Sequence, residues 1–179
     1  METMRRMSLF CAALLASVPG MARAAEPPCL TLAEFTSLAS YALPSIISGT
    51  NQRCSVSLGA GAWLPRNGER LAARYATQKA SSWPGAKAAF LKLSASTNGE
   101  ANKLFRDMPD ASLQQVLDAM MEGMVSQSIP LERCETIDGV VRLLSPLPPE
   151  NTAELIALAV GLGSKSKEPK VGKVSICKS

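Results

Sequence analysis

The chain of 179 residues has no histidine, and that absence removes Ser-His-Asp and Cys-His nucleophile systems, zincin motifs and histidine general bases. The remaining residues that could do chemistry are serines beside lysines, paired carboxylates, methionines and cysteines. Ser164 with Lys167, and Ser175 with Lys178, match Ser-x-x-Lys. In enzymes with that spacing the serine sits at a helix N-terminus, so that the lysine returns one turn later in a dry site. Both matches fall in a lysine-rich segment where no helix is predicted to begin, and they read as chance. Gly161-Leu162-Gly163-Ser164-Lys165-Ser166 lacks the Gly-x-x-x-x-Gly-Lys spacing of a phosphate loop and follows a helix instead of preceding one. A helix C-terminus presents carbonyls, whereas phosphates bind free N–H groups, so this run reads as a C-cap. Asp107 with Asp110, and Glu132 with Glu135, lie at predicted helix ends, where acids cap or face water. Met108, Met120, Met121 and Met124 could line an adaptable groove or take a soft metal. Their helical spacing with Leu117 and Val125 reads first as core. No catalytic residue, cofactor or metal site is assigned on these grounds.

The cysteines carry a firmer expectation. Met1–Arg6 holds two adjacent arginines, and Met7–Val18 is an uncharged apolar run broken by Pro19 and Gly20. Ala22-Arg23-Ala24 then supplies the small residues of a signal-peptidase site, so residues 1–24 read as a cleavable signal peptide. The apolar run of 12 residues is short of the roughly 20 needed to span a bilayer, which argues against a stable membrane span after cleavage. Cleavage leaves an even set, Cys29, Cys54, Cys134 and Cys177, without a CxxC pair. In the oxidising periplasm or outside the cell these read as disulfides, not as a zinc site.

Charge is divided along the chain. The signal peptide discards three arginines, so the apparent basicity is no nucleic-acid signature. Residues 25–163 carry 11 Lys and Arg against 13 Asp and Glu, whereas residues 164–179 carry five lysines, Lys165, Lys167, Lys170, Lys173 and Lys178, against one glutamate. These lysines are the candidate interaction residues of a tail tethered through Cys177, and lipid head groups, envelope glycans or an acidic protein are the available polyanions. No aromatic residue interleaves them, so nucleic-acid stacking is not indicated.

The elements that must position these residues read as helices. Thr31 and Glu34 form a capping-box pattern, followed by a helix from Leu32 to about Ser48, kinked at Pro44 or split there, with Gly49 as its stop. Thr50–Pro65 reads as a loop, and Asn67 as the cap of a helix over Gly68–Ser81 with Leu71 and Tyr75 inward and Arg70, Arg74 and Lys79 outward. Trp83-Pro84 reads as a boundary before a short helix over Pro84–Leu93, with Ala86, Phe90 and Leu93 on one face. Further helices are expected over Glu100–Asp107, from a cap near Asp110 through Leu113, Val116, Leu117, Met120, Met121, Met124 and Val125, and across Ile137, Val140, Val141 and Leu144. After the Pro146, Pro148 and Pro149 cluster, Asn151 and Glu154 suggest a second capping box, with Leu155, Leu158, Ala159 and Leu162 as the apolar face and Gly161 and Gly163 as the end. Lys173–Cys177 alone looks strand-like. The expectation is one all-α domain of six or seven helices, residues 25–163, stapled by disulfides. If the first helix is continuous its ends lie roughly 25 Å apart, so Cys29 and Cys54, which flank it, reach disulfide distance only if the chain reverses near Pro44 or the following loop runs back along the helix; pairing of Cys29 with Cys134 or Cys177 is preferred.

The runs YALPSIISGTNQRC, WPGAKAAFLKLS and PLPPENTAELIALAVGLGSKS resemble small exported helical proteins of Gram-negative bacteria that carry no assigned activity. The resemblance implies export and a helical body, and lends no catalytic residue. Together these readings point to a non-enzymatic binding or accessory module for an envelope component or protein partner. A small enzyme using carboxylates or a Ser-Lys pair, and a structural or chaperone-like envelope protein, are the alternatives.

Overall fold

Helix α1 (Leu32–Cys54) starts where the sequence places it. Thr31 N–H donates to Glu34 Oε2 at 2.7 Å and Glu34 N–H to Thr31 Oγ1 at 3.2 Å, closing the capping box. The computed structural model describes residues 29–165 and 175–177, with backbone alone for 160–165 and 175. Residues 1–24, read as a signal peptide, lie outside these, as do Lys167, Lys170, Lys173 and Lys178 of the tail. Seven α-helices follow one another among the described residues: α1, α2 (Trp63–Ala76), α3 (Lys79–Thr97), α4 (Gly99–Asp107), α5 (Asp110–Ser128), α6 (Cys134–Leu144) and α7 (Pro149–Lys165). The fold is the expected all-α one, with one addition, a two-residue parallel pairing of β1 (Cys29–Leu30) with β2 (Ser175–Ile176).

Helix α1 is the axis of the fold and packs against α2, α3, α5 and α7. Residues two apart on a helix point about 200° apart, and Tyr41 and Leu43 accordingly enter different cores. Tyr41 joins Trp83, Ala86, Phe90, Leu113 and Leu117 from α3 and α5. Leu43 and Ile47 join Leu71, Ala72, Tyr75 and Ala153 from α2 and α7. A helix that must be apolar on opposite sides shows little amphipathic periodicity, and α1 is buried almost throughout its second half.

Three contacts fix how α1 meets α5. Tyr41 OH donates to the Gln114 carbonyl at 3.4 Å, Ser45 Oγ donates to Asp118 Oδ1 at 3.0 Å, and Gly49 lies against the Glu122 backbone. Each step of one turn along α1 matches one turn along α5 in the same direction, so the two helices run parallel and in register. Arg53 Nε, a turn further on, donates to the Ile129 carbonyl at 2.9 Å and caps the end of α5.

Several boundaries differ from the sequence reading. Helix α1 passes through Pro44 and Gly49 and ends at Cys54, because packing on all sides outweighs the weak propensity of a proline and a glycine. Helix α2 begins at Trp63, not Gly68, because its cap comes from a distant part of the chain. Asp138 of α6 accepts the N–H groups of Leu64, at 2.6 Å, and Trp63, at 3.3 Å. Asn67 lies inside the helix and donates to the Trp63 carbonyl. Helix α3 runs through Trp83-Pro84 without a break; Pro84 and the residue one turn before it, Ala80, are both exposed, so water can take the freed carbonyl. Helix α7 starts at Pro149, a favoured first-turn residue, and continues past Gly161 and Gly163 to Lys165.

The disulfides are Cys29–Cys177 and Cys54–Cys134, with Cα separations of 4.8 and 5.3 Å. The continuous α1 does keep Cys29 from Cys54. Cys177 N–H also donates to the Leu30 carbonyl at 2.8 Å, so the first disulfide and the β1–β2 pairing form one clasp. No described helix is long and apolar enough to cross a membrane.

Candidate functional site

A depression of about 270 Å³ lies along α2, lined by Trp63, Asn67, Arg70, Leu71, Arg74 and Ser145. All but Ser145 come from α2, and Trp63, Asn67, Arg70 and Arg74 share one face at spacings of four, three and four. The start of the helix at Trp63 is therefore what brings the indole into line with the arginines. Leu71 is buried and forms the floor, while Trp63 is half-buried with its ring packed on the Leu43 and Ile47 core. Arg70 Nη2 donates to Asn67 Oδ1 at 2.8 Å, and Asn67 Nδ2 donates to the Trp63 carbonyl at 2.9 Å. Arg74 donates through Nη2 to the Ser145 carbonyl in the α6–α7 turn, and its guanidinium lies 5.5 Å from the Tyr75 ring centre. That turn is itself held, since Tyr75 OH donates to the Leu147 carbonyl at 2.9 Å and lies 3.0 Å from Thr152 Oγ1.

The other polar cluster is a structural bolt between α1, α3 and α5. Asp118 receives Lys79 Nζ at 2.5 Å and the Ser45 hydroxyl at 3.0 Å, and the ammonium sits 4.5 Å from the Tyr41 ring centre. Lys79, expected to point outward, is thus drawn inward by a carboxylate and an aromatic face. Burial, followed by the Asp118 charge, pushes the Tyr41 phenol above its ordinary value. A serine, a lysine and an aspartate meet here, but an ammonium ion-paired to the carboxylate has no lone pair with which to take a proton from Ser45.

The carboxylate pairs lie on the surface, not in a desolvated cleft. Asp107 and Asp110 are exposed, as are Glu132 and Glu135. Asp110 instead receives Trp83 Nε1 at 2.9 Å and Lys87 Nζ at 2.5 Å, tying α3 to the start of α5. The Lys87 contact, then the Trp83 one, holds the Asp110 carboxyl below its ordinary value of 3.8. The Thr31 N–H, then Lys92, holds Glu34 below its ordinary 4.5. A lowered carboxylate contributes stability that is complete above the unfolded pKa and is lost as pH falls through the folded one. The urea midpoint is therefore expected to hold steady down to about pH 5 and to fall below it. The double variant Glu34→Gln/Asp110→Asn should flatten that fall, and an unchanged slope would show that these contacts carry nothing.

Two of the methionines, Met120 and Met124, are not the core residues their spacing suggests. Met108 packs at the edge of the Tyr41 and Trp83 core and Met121 is half-buried, whereas Met120 and Met124 are 38% and 50% exposed. Leu113 and Leu117 form the inward stripe of α5, and Val116, Met120 and Met124 form an outward one. Helix α7 is also turned from the expected orientation: Thr152, Ala153 and Ala157 are buried, while Leu155 and Leu158 are exposed. On α6, Cys134 alone is buried and Val140 and Leu143 face outward. Of the Ser-x-x-Lys residues, Ser164 falls in the last turn of α7 and Ser175 in β2, and both lysine partners lie outside the described residues. Lys165 ends α7.

No family model, curated protein or solved structure matches this chain.

Proposed function

We propose that the protein is an exported, non-enzymatic binding or accessory module that acts in the periplasm or outside the cell on an envelope or protein partner. The observation that carries this reading is the outward placement of large apolar residues on three helices, Val116, Met120 and Met124 on α5, Val140 and Leu143 on α6, and Leu155 and Leu158 on α7. Exposed apolar residues scattered singly need no explanation, but turn-spaced sets on helix faces mark surfaces that a partner covers. Helix α6 is the sharpest case, because a disulfide and the Asp138 cap pin it to the body while Val140 and Leu143 stay outside. Two disulfides support the oxidising compartment that the N-terminal segment implies.

Affinity capture from envelope extracts tests the reading with three proteins: the wild-type chain, Val140→Glu/Leu143→Glu, and a chain with Lys165, Lys167, Lys170, Lys173 and Lys178 replaced by glutamine. Glutamine substitution leaves Cys177 in place, so the clasp survives. The same component should be recovered by the wild type and lost by the α6 variant. Recovery that depends on the lysines alone would move the contact to the tail, and recovery of nothing by the wild type would sink the proposal.

A further inference from the structure

The three ion pairs among the described residues all use lysines, Lys79 with Asp118, Lys87 with Asp110 and Lys92 with Glu34. Arg66, Arg70 and Arg74, each four residues after the last along α2, take no carboxylate there. Like charges one turn apart repel, and no acid lines the depression that two of these arginines border. Asp138, the acid at the start of α2, is occupied by two backbone N–H groups. Glu69, on the same helix, is taken by Asn51 Nδ2 at 3.0 Å. Glu69 still lies one turn from Arg66, but Arg70 and Arg74 have no acid one turn away along α2, and an anion held between these two would offset the repulsion that solvent leaves unscreened.

The guanidinium groups are also arranged in advance. Arg70 is held by Asn67 and Arg74 by the Ser145 carbonyl, so part of the ordering that an anion would otherwise impose has been done by the fold. Guanidinium forks match phosphate and carboxylate oxygens, which single ammonium groups do not. The half-buried Trp63 indole and Leu71 add an apolar wall and floor beside them. A volume of about 270 Å³ is just below the usual range of drug-sized sites and suits one ring and its substituent, not a dinucleotide or an acyl chain.

We propose that this depression binds a small ring-bearing oxyanion, a phosphate monoester or carboxylate, with its oxygens on Arg70 and Arg74 and its ring against Trp63. The site is separate from the apolar faces of α5, α6 and α7 and stands whether or not a protein partner covers those faces.

Trp63 and Trp83 are the two tryptophans of the chain, so their indole N–H resonances in a nitrogen-edited spectrum provide a reporter and a control. Trp83 is buried in the α1–α3–α5 core and bonded to Asp110. Phenyl phosphate, benzoate, inorganic phosphate and phenol are titrated into the disulfide-intact protein. Phenyl phosphate or benzoate should move the Trp63 resonance, leave Trp83 in place, and bind about tenfold more tightly than inorganic phosphate or phenol. Arg70→Gln should weaken that binding about tenfold, with Arg70→Lys between it and the wild type. Arg70 is exposed and makes only local contacts, so an unchanged circular dichroism spectrum and melting temperature are expected of both variants. A Trp63 resonance that stays fixed at about 10 mM of both ring anions, equal affinity in Arg70→Gln, or phosphate alone binding as tightly as phenyl phosphate would each overturn the assignment.

Discussion

Replacing Cys54 and Cys134 with alanine is expected to lower the free energy of unfolding by about 4.5 kcal/mol, the chain-entropy value for a cross-link closing a loop of this size. The loop spans 80 residues and contains α2 to α5. The loss should be uneven. Helix α6 buries no residue except Cys134 and otherwise depends on Asp138 at the α2 terminus, on Val141 at the edge of the Leu43 core, and on the turn after it. Without the disulfide, amide exchange should accelerate across α6 and at the Trp63 and Leu64 amides, while the α1–α3–α5 core keeps its protection. The Ser145 carbonyl that holds Arg74 follows α6, so the Trp63 resonance should also shift. Uniform loss of protection would show that α6 is integral to the core.

The second disulfide sharpens this expectation. Cys54 and Cys134 are 0% and 1% exposed, whereas Cys29 and Cys177 are only half-buried. Thiolate attack requires access to sulfur, so limiting reductant should open Cys29–Cys177 first, and Cys54–Cys134 only when the domain unfolds. Alkylation of the freed thiols followed by peptide mapping gives the order, and simultaneous opening would contradict it.

What could be read from the chain alone divides along a physical line. Local chemistry is legible: the Thr31 and Glu34 capping box, the preference against a Cys29–Cys54 disulfide where the first helix is continuous, and the inward Leu71 and Tyr75 all follow from neighbours within a few turns. Where the determining group lies far along the chain, the reading failed. The start of α2 depends on Asp138, 74 residues from Leu64, and without that cap Asn67 looked like the better beginning. The candidate site depends on that distant cap, because only a helix that includes Trp63 sets the indole in line with Arg66, Arg70 and Arg74. The signal for it lies in the sequence: Arg66, Arg70 and Arg74 recur at four, and although Arg66 has Glu69 one turn on, Arg70 and Arg74 have no acid one turn away. On α7 and α5 the mistake concerned direction. The leucine stripe of α7 is expected to face inward, yet Thr152, Ala153 and Ala157 are the buried residues, with Ala153 in the Leu43 and Ile47 core and Ile156 packed at its edge. Small side chains permit close helix approach, and the leucines are left outside.

Close approach also sets the largest effect expected of a single methyl group. In an exposed helix interior Gly→Ala stabilises by about 1 kcal/mol, and Gly139→Ala in α6, with nothing within 4 Å of the added carbon, should do so. Gly49→Ala should have the opposite sign. Its Cβ would lie 2.6 Å from the Glu122 carbonyl oxygen and 3.1 and 3.2 Å from the Cα and carbonyl carbon of that residue. All three atoms are backbone, so no rotamer change relieves the contact and α5 must move away. Overpacking of this kind costs about 1–3 kcal/mol, enough to outweigh the propensity gain. Parallel register then carries the displacement along the helix pair, because Gly49 meets Glu122 one turn beyond the place where Ser45 meets Asp118. A double-mutant cycle with Ser45→Ala and Asp118→Ala should report a coupling energy of about 1 kcal/mol in the wild type and almost none in the Gly49→Ala background. A coupling that survives would mean that α5 yields locally at Glu122, and that α1 and α5 do not move as rigid, registered partners.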